Sequence, residues 1–198
     1  MAGGNPELGR QKATLRARLL AARRAMSPGE RAAAGRQLRD AVLTVPELQM
    51  AGTVAAYVSI GTEPDTAGLI FALWKRGTYV LLPVLLPDGD LDWASYEGPD
   101  SLVPGPRGLL QPGERRRGVT AITSADLIIA PALAVDLTGR RLGRGGGSYD
   151  RALARVGPAV LSIALLYDGE LVSHVPASEH DQRVRAVARP GEGISRLG

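Results

Sequence analysis

Short, apolar, β-prone stretches recur along the chain, most of them separated by segments of helical character, and this alternation restricts the fold more than any other feature. The stretches are "TVAAYVSI" (53–60), "TYVLLPVLL" (78–86), "LDWASYE" (91–97), "ADLIIAP" (125–131), "AVLSIALLY" (159–167) and "RVRAVARP" (183–190). Continuous apolar runs such as the first and fourth belong to strands buried on both faces, which is the signature of parallel sheet covered by helices. Between them, "PELGRQKATLRARLLAARRAM" (6–26) places Leu8, Leu15, Leu19, Ala22 and Met26 near helical spacing, with Arg on the other faces. "SPGE" then supplies Ser27 as N-cap, Pro28 at the first helical position and Glu30 to complete a capping box, so a second helix runs to about Leu43. A third spans about Thr66 to Arg76 and stops at Gly77, and a fourth begins near Ser148. The expectation is an α/β domain with a largely parallel sheet, whose ligands bind beyond the carboxyl ends of the strands. Residues 97–118, rich in Gly and Pro, read as one long irregular segment.

The chain of 198 residues suits one domain. It has no cysteine, which excludes disulfides, thiolate metal sites and a thiol nucleophile, and its two histidines are too few for a His-rich centre. No apolar run approaches the roughly 20 residues of a membrane span. The N-terminus lacks a signal-peptide core, so the reading is a cytoplasmic protein with residues 1–9 as a flexible arm. The net charge of +4 suits nucleic acid or any strongly anionic small substrate. Among 24 basic residues only Lys12 and Lys75 are lysines, which draws attention to Lys12.

The stretch with most chemistry is "VDLTGRRLGRGGGSYDRAL" (135–153), which follows the strand "LIIAP". Backbone N–H groups reach phosphate oxygens only where side chains leave room, and some must adopt positive φ; glycine permits both. A helix starting just after such a loop adds unsatisfied N–H groups and the positive end of its dipole. Arg adds forked donors that match phosphate. Asp150 would repel phosphate unless a divalent cation is shared between them, as in Mg²⁺–nucleotide sites. The plainer alternative is a flexible surface loop with Asp150 as an ordinary dipole partner in a first helical turn. The pattern is neither a Walker A loop nor a dinucleotide fingerprint.

At these residues the chain resembles the 5-formyltetrahydrofolate cyclo-ligase family, whose hallmark is close to R-L-G-[RY]-G-x-G-Y-Y-D-R after a buried strand and P-x-[LM]-x-[FV]-D. "APALAVDLTGRRLGRGGGSYDRAL" matches it nearly throughout, and "KATLR", "SIGTEPDT" and "GLLQPGE" match further family segments in order. The resemblance covers about residues 10–189. It implies a three-layer α/β/α sandwich in a single domain. It implies ATP- and Mg²⁺-dependent cyclisation of 5-formyltetrahydrofolate to 5,10-methenyltetrahydrofolate through an N5-iminium phosphate, with ADP and phosphate released.

Carried over, Lys12 and Arg16, four residues apart on one helix face, bind ATP phosphates; by spacing alone they also suit a solvated basic face. Arg141, Leu142, Gly143, Arg144, Gly145, Gly146, Gly147, Ser148 and Tyr149 wrap the triphosphate. Arg144 and Tyr149 are the catalytic candidates. Val58, Glu63, Arg144, Gly145, Gly146, Gly147 and Ser148 form the folate side, with Glu63 hydrogen-bonding the pterin. Asp150 and Asp181 ligate Mg²⁺. The sequence departs from the family at Ser148, where a Tyr is usual, and at Arg185, where a further acid is common. Trp93 and Tyr96 are core residues before they are stacking surfaces, and neither His174 nor His180 has a claim to catalysis. The implied partners are small molecules, ATP and a folate that can be polyglutamylated; neither nucleic acid nor a membrane is expected, and the chain is read as a monomer. One rival is a non-catalytic nucleotide- or RNA-binding relative, supported by Arg115–Arg117 but lacking basic–aromatic interleaving. The other is a different ATP- or sugar-phosphate-using enzyme on a similar scaffold.

Overall fold

The computed structural model describes residues 6–198. Helix α1 (Pro6–Ala25) and helix α2 (Pro28–Leu43) are separated by the expected capping box. Ser27 Oγ accepts from the Glu30 N–H at 3.2 Å and the Glu30 carboxylate accepts from the Ser27 N–H at 2.7 Å, which satisfies two of the donors a helix start leaves bare. Residues 6–9 are already helical, and residues 1–5 lie outside the described residues. There follow α3 (Pro46–Met50), β1 (Thr53–Ala55), α4 (Ala67–Lys75), β2 (Tyr79–Leu85), β3 (Leu91–Ser95), β4 (Leu102–Pro104), β5 (Leu110–Pro112) and a 3₁₀ segment at Val119–Ser124. The second half contains β6 (Leu127–Pro131), β7 (Ala134–Asp136), β8 (Arg141–Leu142), α5 (Ser148–Ala154), β9 (Leu161–Leu165), β10 (Leu171–Val172), β11 (Ala186–Arg189) and β12 (Gly193–Arg196).

The main sheet runs β12-β11-β9-β6-β1-β2-β3. β11, β9, β6, β1 and β2 are parallel, and each edge is closed by an antiparallel strand, β12 and β3. The apolar runs are continuous because successive residues face two cores. Leu127 and Ile129 point to the side covered by α2, α3 and α4, with Leu38, Leu48 and Leu73. Ile128 and Ala130 point to the side of α5 and the 3₁₀ segment, with Leu153 and Ile122. This is the three-layer α/β/α arrangement. From β1 the chain winds outward through β2 to β3, then returns to β6 and winds the other way through β9 and β11. The point of reversal lies between β1 and β6, where open α/β sheets leave a crevice.

Several boundaries differ from the sequence reading. "TVAAYVSI" pairs as a strand only over Thr53–Ala55. Ala56 donates one more bond, to Leu81 O, before the chain turns into the crevice. The segment 97–118 is not irregular throughout, because β4 and β5 form an antiparallel hairpin within it. A second sheet, β10-β7-β8, carries α1 through a small core of Leu19, Leu133, Ala134, Leu142 and Val175. On α1 most of the expected apolar set does face inward, with Leu19 buried and Leu8, Leu15 and Met26 partly buried, but Ala22 is exposed, and Arg23 is buried with Lys12 and Arg16 partly buried. Sequence spacing could not single out these three cations, because other arginines of the helix are exposed.

The buried Arg23 has specific partners. Its Nε and Nη2 meet Glu170 Oε1 and Oε2 at 2.6 and 2.9 Å, and Nη2 also donates to Ala132 O at 2.6 Å. Glu170 Oε2 accepts from the Tyr167 N–H, and Tyr167 Oη donates to Glu63 O at 3.1 Å. The helix bearing Lys12 and Arg16 is thereby tied to the loop bearing Glu63.

Candidate active site

A cleft of about 580 Å³ opens at the carboxyl ends of β1 and β6. Every residue assigned a site role from the sequence lines it: Lys12, Arg16, Val58, Glu63, Arg141 to Asp150, and Asp181. Four elements bring them together. α1 contributes Lys12 and Arg16, the turn after β1 contributes Val58 and Glu63, the loop from β8 to α5 contributes the glycines, and the segment after β10 contributes Asp181.

The glycine loop is shaped as its composition requires. Gly145 has φ +106° and Gly147, the residue that caps α5, has φ +68°, both in the region L side chains avoid. A Cβ on Gly145 would come within 3.6 Å of the Arg16 guanidinium carbon. Arg16 Nε donates to Gly143 O at 2.8 Å, so α1 holds the loop at its start. Ser148 Oγ donates to Gly89 O at 2.5 Å, tying the first turn of α5 to the β2–β3 turn. The hydroxyl that replaces the family's usual Tyr is therefore a tether here, and no aromatic ring stands at that position.

The two loop arginines differ. The Arg141 side chain is only 2% exposed; Nη1 donates to Pro131 O at 3.1 Å and Nη2 to Asp150 Oδ1 at 2.8 Å. It binds β6, β8 and α5 together, and its charge is already matched. Leu142 likewise lines the cleft from a buried position in the core under α1. The Arg144 side chain is 44% exposed, and its Nε lies 3.5 Å from Glu63 Oε1. Arg144 is thus the half-exposed cation that spans from the glycine loop to the opposite wall.

Glu63 is nearly enclosed. Burial raises its pKa, and the Ile60 N–H, at 3.0 Å from Oε2, and Arg144 only partly oppose this. Asp181 behaves in the opposite way. Partial burial disfavours its charge, but hydrogen bonds from Lys12 and Ser178 outweigh burial and lower its pKa. Lys12 Nζ sits 2.5 Å from Asp181 Oδ2. Tyr149 packs edge-on against Trp93 at 6.4 Å, and burial raises its phenol strongly. Trp93 and Tyr96 are buried in the two cores, as expected, and do not line the cleft.

Sequence reasoning missed the apolar wall: Tyr57, Ile60, Pro83, Leu85 and Leu91 from the strand ends, and Leu109 and Leu110 from the hairpin. The only available signal was that strand carboxyl ends face the crevice. The cleft therefore has a cationic end, at Lys12, Arg16 and the glycine loop, and an apolar end around one buried carboxylate.

The family model for the 5-formyltetrahydrofolate cyclo-ligase family matches residues 9–190. The chain belongs to that family. It is 38% identical to a 5-formyltetrahydrofolate cyclo-ligase of Mycolicibacterium smegmatis, over 95% of this chain and 98% of the relative. It is 35% identical to the 5-formyltetrahydrofolate cyclo-ligase of Escherichia coli, over 86% and 95%. The solution structure of Aquifex aeolicus 5,10-methenyltetrahydrofolate synthetase superposes with a TM-score of 0.82 at 28% identity, covering 94% of this chain and 92% of that one. The chain is therefore an enzyme of the cyclo-ligase family, and the cleft is its candidate active site.

Substituting Lys12 tests the cationic end. The side chain projects from a helix that tolerates Ala and has one ionic partner, Asp181. Lys12→Ala is expected to raise the KM for ATP about tenfold and to lower the melting temperature, because the part-buried Asp181 loses its cationic partner. Steady-state kinetics with calorimetry checks this, and unchanged ATP kinetics in the folded variant would assign Lys12 to a purely structural pair.

Proposed function

We propose that this chain cyclises 5-formyltetrahydrofolate to 5,10-methenyltetrahydrofolate with consumption of ATP and release of ADP and phosphate. The observation that carries the reading is a single cleft with a cationic glycine-loop end and an enclosed carboxylate end, bridged by Arg144 and Glu63. In the reaction the formyl oxygen attacks the γ-phosphorus of ATP, ADP leaves, and an N5-iminium phosphate forms. N10 then adds to the activated carbon, its proton is lost, and phosphate departs. Little covalent chemistry falls to the protein, so positioning and charge stabilisation dominate.

Lys12 and Arg16 face the triphosphate from α1, and the N–H groups of the glycine loop and the start of α5 face it from the other side. Arg144 follows charge onto the transferring phosphoryl group. Glu63, with two carboxylate oxygens, accepts adjacent N–H groups of the pterin, and Val58 with the apolar wall covers its faces. Tyr149 and the glycines lie between the two ends.

The donor set fits Mg²⁺. Asp150 Oδ1 accepts from Arg141 and the Gln182 N–H, and Asp181 Oδ2 from Lys12 and Ser178. Among the described residues, each leaves its other oxygen without a protein donor. No group of three acidic or histidine side chains is gathered for a metal among the described residues, and Mg²⁺ characteristically takes one or two carboxylates and completes its shell with phosphate and water. When bound there it supplies charge neutralisation between the carboxylates and the phosphates.

We read the active unit as a monomer acting on small molecules. Among the described residues no helix is long and apolar enough to cross a membrane. We read the protein as cytoplasmic. The test is to mix the protein with 5-formyltetrahydrofolate and MgATP and to follow the methenyl chromophore. Product is expected only with nucleotide present, and excess EDTA is expected to abolish it. Full-rate turnover in EDTA would remove Mg²⁺ from the reading, and absence of product under all conditions would remove the reaction.

A further inference from the structure

Two tyrosines that line the cleft, Tyr57 and Tyr149, have hydroxyls that are buried without a hydrogen-bond partner among the described residues. An unpaired buried hydroxyl is costly, and native proteins rarely retain one without a use. Tyr57 is the more enclosed residue, 3% exposed. It follows β1 at the reversal of sheet winding, where a ligand enters. Its ring is held by the core on the α2 and α4 side, with Val54, Leu82 and Ile129 in the same cluster. Its neighbours along the cleft wall are Val58, Ile60 and Glu63. Burial raises the phenol well above its usual pKa, and the nearby Glu63 carboxylate raises it further. Tyr57 is therefore a neutral O–H donor at physiological pH.

The chemistry at this end is thus a pair. An ionised Glu63 only accepts, whereas Tyr57 has an O–H to give and no protein acceptor to receive it. A ligand that satisfies both presents N–H groups with a carbonyl oxygen next to them. We propose that Tyr57 is a specificity-determining residue that donates to a ring carbonyl of the bound heterocycle, adjacent to the N–H groups accepted by Glu63. The inference rests on the folate reading above, in which the heterocycle is a 2-amino-4-oxo pterin and the carbonyl is its 4-oxo group. The hydroxyl is then unpaired only while the cleft lacks its ligand.

Tyr57→Phe isolates this role because it removes an oxygen that has no partner in the protein. The variant is expected to melt at the same temperature as the wild type or higher, to show a KM for 5-formyltetrahydrofolate raised about tenfold, and to keep its KM for ATP. A residue that merely fills the core would move none of the kinetic constants. Binding of 2-amino-4-oxopteridine and of 2-aminopteridine, which lacks the carbonyl and with it the N3–H, is measured by calorimetry on both proteins; the N3–H loss at Glu63 is common to both proteins and cancels in the comparison. The affinity ratio between the two rings should fall about tenfold in Tyr57→Phe, in the manner of a double-mutant cycle. An unchanged ratio overturns the proposal, as does failure of the wild type to bind either ring. A loss that appears in Tyr149→Phe and not in Tyr57→Phe also overturns it, because the donor would then be Tyr149. The binding arm reads the hydroxyl without turnover, so it separates this inference from the cyclisation itself. Wild type that binds the oxo ring selectively but makes no methenyl product would sink the reaction and leave the hydroxyl's role standing.

Discussion

Arg144→Ala is expected to lower kcat by about 10³-fold, the order seen for arginine stabilisation of phosphoryl transfer, while raising the ATP KM much less. The structure supplies the reason for separating the two effects. Among the described residues the Arg144 side chain makes no hydrogen bond to the protein, and its one ionic neighbour is Glu63 at 3.5 Å. In the proposed reaction its head follows charge onto the γ-phosphoryl oxygens as that charge develops, and a contact that strengthens only in the transition state acts on kcat. Arg141 is a poor substitute, because its guanidinium is buried between Pro131 O and Asp150. Arg144→Lys should recover only part of the rate, since it keeps the charge and loses the fork. Steady-state kinetics of the three proteins at saturating folate, with melting temperatures to confirm an intact fold, decide the matter. A near-normal kcat in Arg144→Ala would make Arg144 a surface charge and pass the phosphoryl role to the metal and the loop N–H groups.

The sequence carried the site further than it carried the fold's periphery, for a physical reason. Glycines that need positive φ and a carboxylate at a helix start are chosen by local chemistry, so the glycine loop is legible where it stands, whereas Lys12, Arg16, Val58, Glu63 and Asp181 were implied by the family resemblance and not by their spacing. The central strands were legible too, because burial on both faces leaves an unbroken apolar run. β7, β8, β10 and β12 were not, since strands of two to four residues carry too few positions to display a period. The β4–β5 hairpin was hidden by its Gly and Pro content. The apolar end of the cleft was illegible for a different reason: Pro83, Leu85 and Leu91 are unremarkable as residues and gain their role from where the sheet's winding reverses. The apolar stripe of α1 was legible, but the cations that share its inward side were not, because Arg23 is an arginine that behaves as a core residue.

That arginine should be the most sensitive position for stability outside the apolar cores. Arg23→Met is expected to destabilise the fold by about 3–5 kcal/mol, the cost of stranding a buried partner charge. Arg23 and Glu170 are 1% and 3% exposed, and without the guanidinium Glu170 keeps only the Tyr167 N–H. The pair itself is not optimal, because Arg23 Nη1 is buried without a partner. Replacing both ends by apolar groups, Arg23→Met with Glu170→Leu, should therefore recover most of the loss. The pH dependence identifies the cause. Burial already raises the Glu170 pKa against the pull of Arg23, and losing Arg23 raises it further. A carboxyl with a raised folded-state pKa takes up a proton on folding, so its penalty vanishes below the unfolded-state pKa and grows as pH rises through the folded-state value. The single variant should thus lie closer to wild type at about pH 5 than at about pH 8, whereas the double variant should show no such trend. Urea unfolding of all three proteins at both pH values measures this. Equal destabilisation of Arg23→Met at the two pH values would mean that the lost contacts of the arginine stem, and not the stranded carboxylate, carry the cost.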